Sequence, residues 1–401
     1  MTKIESKAID FIKKNILLFL LAAVTILAVF IRICGGIDYK SDDFNSFLYP
    51  WWRIIKQSDF TGLATQVGNY NIPYQVIIYL MTLLPFSALQ SYKIVSIIFD
   101  FVLAFSSAAL VYSFVKSNAK LKAAITYSAV LLSTTVIFNS SFWAQCDSIY
   151  TSFIILAILF LHKDKPIASF VFIGIAFAFK LQTVFILPVL LYYWISTKKI
   201  SILHFFIIPA VDVIMCLPAI IMGRPFIDII TIYAEQTDYG KLIQMNCPNF
   251  YALMCEGNDM TYYYLFKQFS VLLTIAVLGI MMCVIICKKV DLRNMETFLL
   301  TSAWTVFTCI MFLSSMHERY GYLLDIILIV YAVISAKHLW IPIVSTLISL
   351  RGYCYYLFSY ELVSLKGTAI ICTALYVYIT FLLIKTIFRA KSSDNVFAKT
   401  I

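Results

Sequence analysis

Apolar runs separated by short polar connectors recur along the whole chain. A helix needs roughly 20 apolar residues to cross a hydrocarbon layer of about 30 Å. Runs of this kind fall at 15–34, 92–115, 123–141, 148–162, as a tight pair around Phe170 to Leu191, and at 201–222, 262–287, 298–313 and 323–335, with two more ending near Arg351 and Lys385. The pattern predicts an all-α, polytopic helical membrane protein with about twelve transmembrane helices. The longest polar interruptions are about 40 residues, too short for a soluble domain, so residues 1–401 read as a single integral membrane domain. The run at 72–88 is shorter and carries Pro73 and Pro85. It reads as a re-entrant or interfacial helix, tolerated where protein covers it. The first run resembles a signal-peptide core but is too long and lacks a cleavage site, so it is expected to be retained.

Composition agrees with this pattern. Hydrophobic residues make up 62% and charged residues 13%, against roughly 25% charged in soluble domains. Mean hydropathy is +0.88. A net charge of +10 would suggest nucleic acid in a soluble protein. Here the cations sit in short connectors, the positive-inside arrangement, and no nucleic-acid partner is expected. Lys3, Lys7, Lys13 and Lys14 place the N-terminus inside. Lys116/Lys120/Lys122, Lys163/Lys165, Lys198/Lys199, Lys288/Lys289/Arg293, Lys337 and Lys385/Arg389/Lys391 mark later inner ends. With 72–88 kept on the outer side, the spans alternate without conflict. Two long outer segments result, 35–91 and 223–261. Cys247 and Cys255 share the second and could pair in an oxidising space. No CxxC or Cys/His metal spacing occurs.

This topology places the polar-aromatic motifs on one face. They are Asp42/Asp43, Trp143–Asp147, Lys180/Gln182, Asn246–Tyr251 and His317–Arg319, and their convergence predicts a cavity opening outward. Asp42 and Asp43 precede an aromatic stretch, Phe44 to Ile55, expected to lie as an interfacial helix. Either Asp suits a general base, and either also suits the cap of that helix. Lys180 interrupts an apolar run beside Gln182, and His317-Glu318-Arg319 puts three ionisable groups at a helix junction. Such groups snorkel, pair, or bind an anion. Asp100 lies within a span and is expected to pair with Lys93 or Lys180, and Asp212 reads as structural. Trp143, Gln145 and Asp147 combine an aromatic face with fixed polar groups, as a sugar ring requires. They also read as an interfacial Trp followed by a helix cap. Tyr70-Asn71-Ile72-Pro73-Tyr74 and Asn246-Cys247-Pro248-Asn249-Phe250-Tyr251 offer similar chemistry through Tyr74 and Asn249 and double as turn sequences. Together these groups suit transfer of a sugar from a lipid phosphate: a carboxylate takes the acceptor proton and cations stabilise the departing phosphate. No DxD-type pair is present, so no metal and no cofactor are expected.

The order of these motifs resembles the GT-C superfamily of membrane glycosyltransferases. An outer-loop Asp follows the first span. Then come Tyr-Asn-x-Pro-Tyr, Lys-Ile-x-Ser-Ile-x-Phe-Asp, Trp-Ala-Gln-Cys-Asp-Ser, Phe-Lys-Leu-Gln and His-Glu-Arg-Tyr. The resemblance covers about residues 35–325. It is strongest to a bacterial branch similar to the second mannosyltransferase of GPI-anchor synthesis, and extends to dolichyl-phosphate-glucose glucosyltransferases. It implies an inverting transferase moving a hexose from a polyprenyl-phosphate donor to a hydroxyl of a cell-surface glycan or lipid-linked acceptor, at the outer face of the plasma membrane. It implies Asp43 as base with Asp42 in reserve, and Lys180, His317 and Arg319 near the donor phosphate. Trp143, Gln145, Asp147, Gln182 and Glu318 match its substrate-side positions. Ala144 departs from the pattern, where Gly is commoner. Two other readings compete: a transporter or flippase of lipid-linked sugars, and a glycan polymerase or ligase using lipid-diphosphate donors. The first predicts repeat symmetry, which this sequence lacks.

Overall fold

The computed structural model describes the backbone of residues 1–237, 241–255 and 262–397, and side chains as far as residue 388. Arg389 and Lys391, expected at an inner end, lie outside the described side chains, as parts of the second outer segment lie outside the described residues. The described residues are helical, with no strand. Seven helices are long and apolar enough to cross a membrane: Ile16–Gly36, Ala88–Phe114, Ile202–Ile221, Tyr263–Lys288, Met295–Phe312, Trp340–Phe358 and Leu365–Phe388. An eighth crossing is possible where Ala119–Leu131 and Thr134–Phe142 join at a bend of 47°. This is therefore a helical protein with the helices of a multi-pass membrane protein.

Four of the expected spans are helices of fewer than 18 residues: Asp147–Leu161, Pro166–Phe179, Leu181–Thr197 and Tyr322–Ser335. At 1.5 Å per residue the 15-residue helix Asp147–Leu161 reaches about 22 Å, short of the ~30 Å hydrocarbon layer. The apolar runs are cut by a sharp turn at 143–146, by an extended residue at Lys180 and by the irregular segment 313–321. Ile72–Thr82 is likewise short, as its prolines imply. The stretch after Asp43 is helical as expected, with a π-turn over Phe44–Leu48 running into helix Tyr49–Ser58.

Helix Met295–Phe312 is the most enclosed of the long helices, with 83% of it buried. It packs against Tyr322–Ser335, Tyr263–Lys288 and the last helix. Its hydroxyls cost little there, because Thr301, Ser302, Thr305 and Thr308 each donate to a carbonyl four residues earlier at 2.8 Å. The connectors sort into two ends. At one, His162 Nε2 meets the Leu292 carbonyl at 3.3 Å, Ser196 bonds the Val290 carbonyl, and Lys199 pairs with Asp164 at 3.3 Å. This end gathers Lys163, Lys165, Lys198, Lys288 and Arg293. At the other, Lys93 donates to the Gly36 carbonyl at 2.5 Å and Tyr39 bonds the Leu357 carbonyl. There the polar-aromatic motifs converge.

Two sequence expectations change. Asp100 pairs with neither Lys93 nor Lys180: its partner is Arg32, at 2.9 Å, both side chains fully buried. Arg32 also donates to the Leu131 carbonyl at 2.9 Å, and Ser140 donates to Asp100 at 2.5 Å. The pair thereby joins the first helix, Ala88–Phe114 and the bent helix. Lys93 is spent on the carbonyls of Gly36 and Tyr39. Cys247 and Cys255 are both free thiols. Asp212 accepts from Asn71 at 3.0 Å, in keeping with a structural role.

Removing one partner of a buried pair strands the other charge, at a cost of about 3–5 kcal/mol. Asp100→Ala is expected to lower the thermal midpoint of the detergent-solubilised protein sharply, while Arg32→Met/Asp100→Leu recovers much of the loss. Equal midpoints for wild type and Asp100→Ala would contradict the assignment.

Candidate active site

The site is assembled from chain breaks. Ser41, rather than Asp42 or Asp43, caps the turn at 44, its hydroxyl accepting from the Phe44 amide at 3.2 Å. Asp43 then occupies the first turn, partly buried, while Asp42 is exposed. Between the π-turn Phe138–Phe142 and helix Asp147–Leu161 the chain reverses through Ala144, which has φ +63° and is buried. A non-glycine residue in this left-handed region costs roughly 1–2 kcal/mol, and the turn aims two side chains at one target. Trp143 Nε1 donates to Asp43 Oδ2 at 2.7 Å, and Gln145 Nε2 donates to the same oxygen at 2.8 Å. The other carboxylate oxygen accepts from Tyr356 OH at 2.5 Å. Tyr356 reaches it from helix Trp340–Phe358, stacked on the Trp143 indole at 4.0 Å and 10°.

The cations come from two further breaks. Lys180 ends helix Pro166–Phe179 in an extended conformation, so its side chain leaves the helical track and pairs with Asp147. Arg319 lies in the segment 313–321. That segment is pinned by Ser315, whose amide donates to the Ile243 carbonyl at 2.8 Å and whose hydroxyl donates to the Leu242 carbonyl at 2.6 Å. Arg319 approaches Asp43 at 3.5 Å and Asp147 at 3.8 Å and lies 5.1 Å over the Trp143 ring. Asn139 completes the Asp147 shell at 2.7 Å. Two carboxylates and two cations therefore balance in one cluster.

A cavity of about 610 Å³ opens above the cluster. Asp43, Trp143, Gln145, Lys180, Gln182, His317, Glu318 and Arg319 line it, as does Tyr356. The structure thus brings eight of the residues singled out in the sequence around one space. Four others stand apart from its lining. Asp42 is exposed. Asp147 is buried behind the wall, holding Lys180 and Arg319. Tyr74 is buried and packs on Tyr70, ring centroids 4.7 Å apart. Asn249 caps helix Phe250–Met254 and donates to the Ile310 carbonyl at 3.1 Å, a structural role. Sequence reasoning missed Tyr356, Trp51 and Tyr320, which also line the cavity. The tyrosine run after Arg351 was the available signal for the first.

Burial and the adjacent Arg319 push the His317 imidazole down to about 3. Its side chain keeps 30% of its surface open to the cavity, and water there moderates the effect. A neutral ring at neutral pH follows in either case. Burial pushes the Glu318 carboxyl up to about 7, against the pull of Arg319. Helix Trp340–Phe358 presses on Glu318 at Gly352, where a Cβ would lie 2.6 Å from that of Glu318. Among the described residues, no three His, Cys, Asp or Glu side chains group as metal ligands.

Two predictions follow from this geometry. Because the folded Glu318 carboxyl titrates above its ordinary 4.5, the unfolded chain releases that proton first. Stability should therefore fall as pH rises from about 4.5 to about 7, by on the order of 3 kcal/mol. Glu318→Gln is expected to flatten that part of the profile and to be the more stable form at pH 8; an unchanged profile would refute it. Ala144→Gly removes the left-handed strain and is expected to raise the thermal midpoint by a few degrees, whereas Ala144→Val lowers it.

No protein-family model matches this chain, and no curated protein matches it in sequence.

Proposed function

We propose that this chain is an inverting glycosyltransferase that moves a hexose of the glucose or mannose class from a polyprenyl-phosphate donor to an acceptor hydroxyl. The observation that carries the reading is the Asp43 carboxylate, held by Trp143, Gln145 and Tyr356 in the wall of the cavity beside Lys180 and Arg319. A fixed carboxylate next to fixed cations is what direct displacement at an anomeric carbon requires.

In this mechanism Asp43 takes the proton of the acceptor hydroxyl. The acceptor oxygen bonds to the anomeric carbon as the bond from that carbon to the phosphate oxygen breaks, and the polyprenyl phosphate leaves with the electron pair. Oδ2 of Asp43 already serves Trp143, Gln145 and, more distantly, Arg319, while Oδ1 serves Tyr356 alone. Oδ1 is therefore the oxygen with room for the incoming proton. Arg319 offers a planar fork to the phosphate and Lys180 a point charge. The neutral His317 ring contributes a hydrogen bond. Asp147 holds both cations in place until the phosphate arrives.

The same reading sets the whole chain in the plasma membrane as a GT-C-like bundle of about twelve spans, the short helices included, with the lipid bilayer around it. The cavity then opens on the extracytoplasmic face, because the basic connectors gather at the opposite end. The acceptor is a cell-surface glycan or a lipid-linked sugar.

The test is transfer of labelled sugar from polyprenyl-phosphate glucose and mannose by the purified protein. Asp43→Asn is expected to lower transfer by about 10²–10⁴-fold while keeping its thermal midpoint near that of wild type. Full activity in Asp43→Asn would remove Asp43 as base. If wild type consumes no donor but carries labelled lipid across a proteoliposome membrane, the transferase reading fails and transport replaces it.

A further inference from the structure

One side of the cavity has no part in the chemistry above. Its lining here is formed by Phe47, Trp51, Asn69, Tyr70 and Gln236. Trp51 is the central piece. Its ring meets Tyr70 edge-on, centroids 5.7 Å apart and planes at 71°, and packs on Phe47 at 6.0 Å. It is backed by the chain at Gly68, where a Cβ would fall 2.4 Å from the indole. Gly68 has φ +75°, so the position favours glycine twice over, by backbone and by space.

The loop that carries this wall is held from behind. Gln66 donates to the carbonyls of Gly68 and Tyr70, each at 2.8 Å. Gln66 is in turn bonded by Arg224, a buried arginine that also donates to Gln75 at 2.9 Å. Gln236 closes the loop onto the Asn69 carbonyl. Burying a guanidinium to fix a surface turn is costly, and here it holds an aromatic face at a set position in the cavity.

The wall is also connected to the base. Tyr70 OH donates to Gln145 Oε1 at 2.9 Å, and Gln145 Nε2 donates to Asp43 at 2.8 Å. One carboxamide thus spans the aromatic wall and the carboxylate, and orients both.

We propose that Trp51, with Tyr70, Asn69 and Gln236, forms the acceptor subsite, and that the acceptor is a carbohydrate whose ring stacks on the Trp51 indole. The inference rests on the transferase reading. A pyranose presents an apolar face of C–H groups, which an indole covers, and a rim of hydroxyls, which carboxamides bind. Lipid phosphate has its partners in Lys180 and Arg319. In an inverting displacement the acceptor approaches opposite the leaving phosphate, so with the phosphate on Lys180 and Arg319 the acceptor is assigned to the aromatic residues that Gln145 links to Asp43. The Tyr70–Gln145 link sets the acceptor hydroxyl against Asp43.

Two measurements on the full-length purified protein test this. The first is the ratio of transfer to acceptor-independent hydrolysis of the donor, using tagged gluco- and manno-oligosaccharides as acceptors. Trp51→Ala is expected to lower that ratio at least tenfold, with a raised acceptor KM. Gly68→Ala should behave alike by displacing the ring, and Trp51→Phe should restore most of the ratio. The second is quenching of tryptophan fluorescence by maltotriose and mannotriose, expected in wild type and lost in Trp51→Phe. An unchanged ratio in a folded Trp51→Ala protein overturns the subsite. So does a Trp51→Ala defect confined to donor KM, which would move the platform to the donor. If wild type consumes no donor, the transferase reading falls, and fluorescence then decides the platform alone: quenching that depends on Trp51 keeps a carbohydrate site, and its absence with every sugar removes it.

Discussion

A charge inside a helical bundle at membrane depth costs several kcal/mol unless an opposite charge or a set of dipoles meets it there. That constraint explains how this chain is joined. Arg32 and Asp100 settle each other and thereby fasten three helices. Asp147 settles Lys180 and, at longer range, Arg319, and Arg319 reaches on to Asp43. The segments involved are far apart in sequence. Each charged group can be buried only if the others arrive, so the site and the bundle form together.

The second requirement is that these groups leave their helices. A side chain in an unbroken apolar helix points along a fixed track, and no such track would bring residues 145, 180 and 319 to Asp43 and Tyr356. The chain breaks where the site needs them: an extended Lys180, a left-handed Ala144, and an irregular 313–321 segment tied to the carbonyls at 242 and 243. The cost is helices too short to span unaided. They are covered by other helices, as Asp147–Leu161 is by Ala88–Phe114 and Pro166–Phe179. Short helices and a central polar cavity are therefore two aspects of one arrangement.

This also accounts for what could be read in advance. Polar groups at membrane depth contrast with a 62% hydrophobic background, so Asp43, Lys180 and His317–Arg319 stood out and do line one cavity. Tyr356 and Trp51 did not. In a chain with 26 tyrosines and 33 phenylalanines one more aromatic carries no contrast, and Trp near an interface is ordinary. Arg32, inside the first apolar run, was not among the partners expected for Asp100. Hydrophobic runs report length but not continuity. A single extended residue such as Lys180 divides a helix without changing the run around it, so the break within Phe170 to Leu191 was not marked by hydropathy. Asn249 and Tyr74 were singled out on composition, yet a carboxamide or phenol serves a cap or a packed ring as readily as a substrate.

If Asp43 is the base proposed above, its many partners must fix it without blocking it. A carboxylate that only accepted protons would need one open face. Asp43 has four donors distributed unequally, with three on Oδ2 and one on Oδ1. Three donors fix the carboxylate plane, and the single hydroxyl leaves one oxygen to share. Tyr356 can rotate its O–H about one bond, so that oxygen can be freed without moving a side chain. The stack of Tyr356 on Trp143 keeps the ring in place while that happens. In the proposed transfer, a residue set of this kind would hold the reacting carboxylate still beside the cations and the aromatic residues of one cavity.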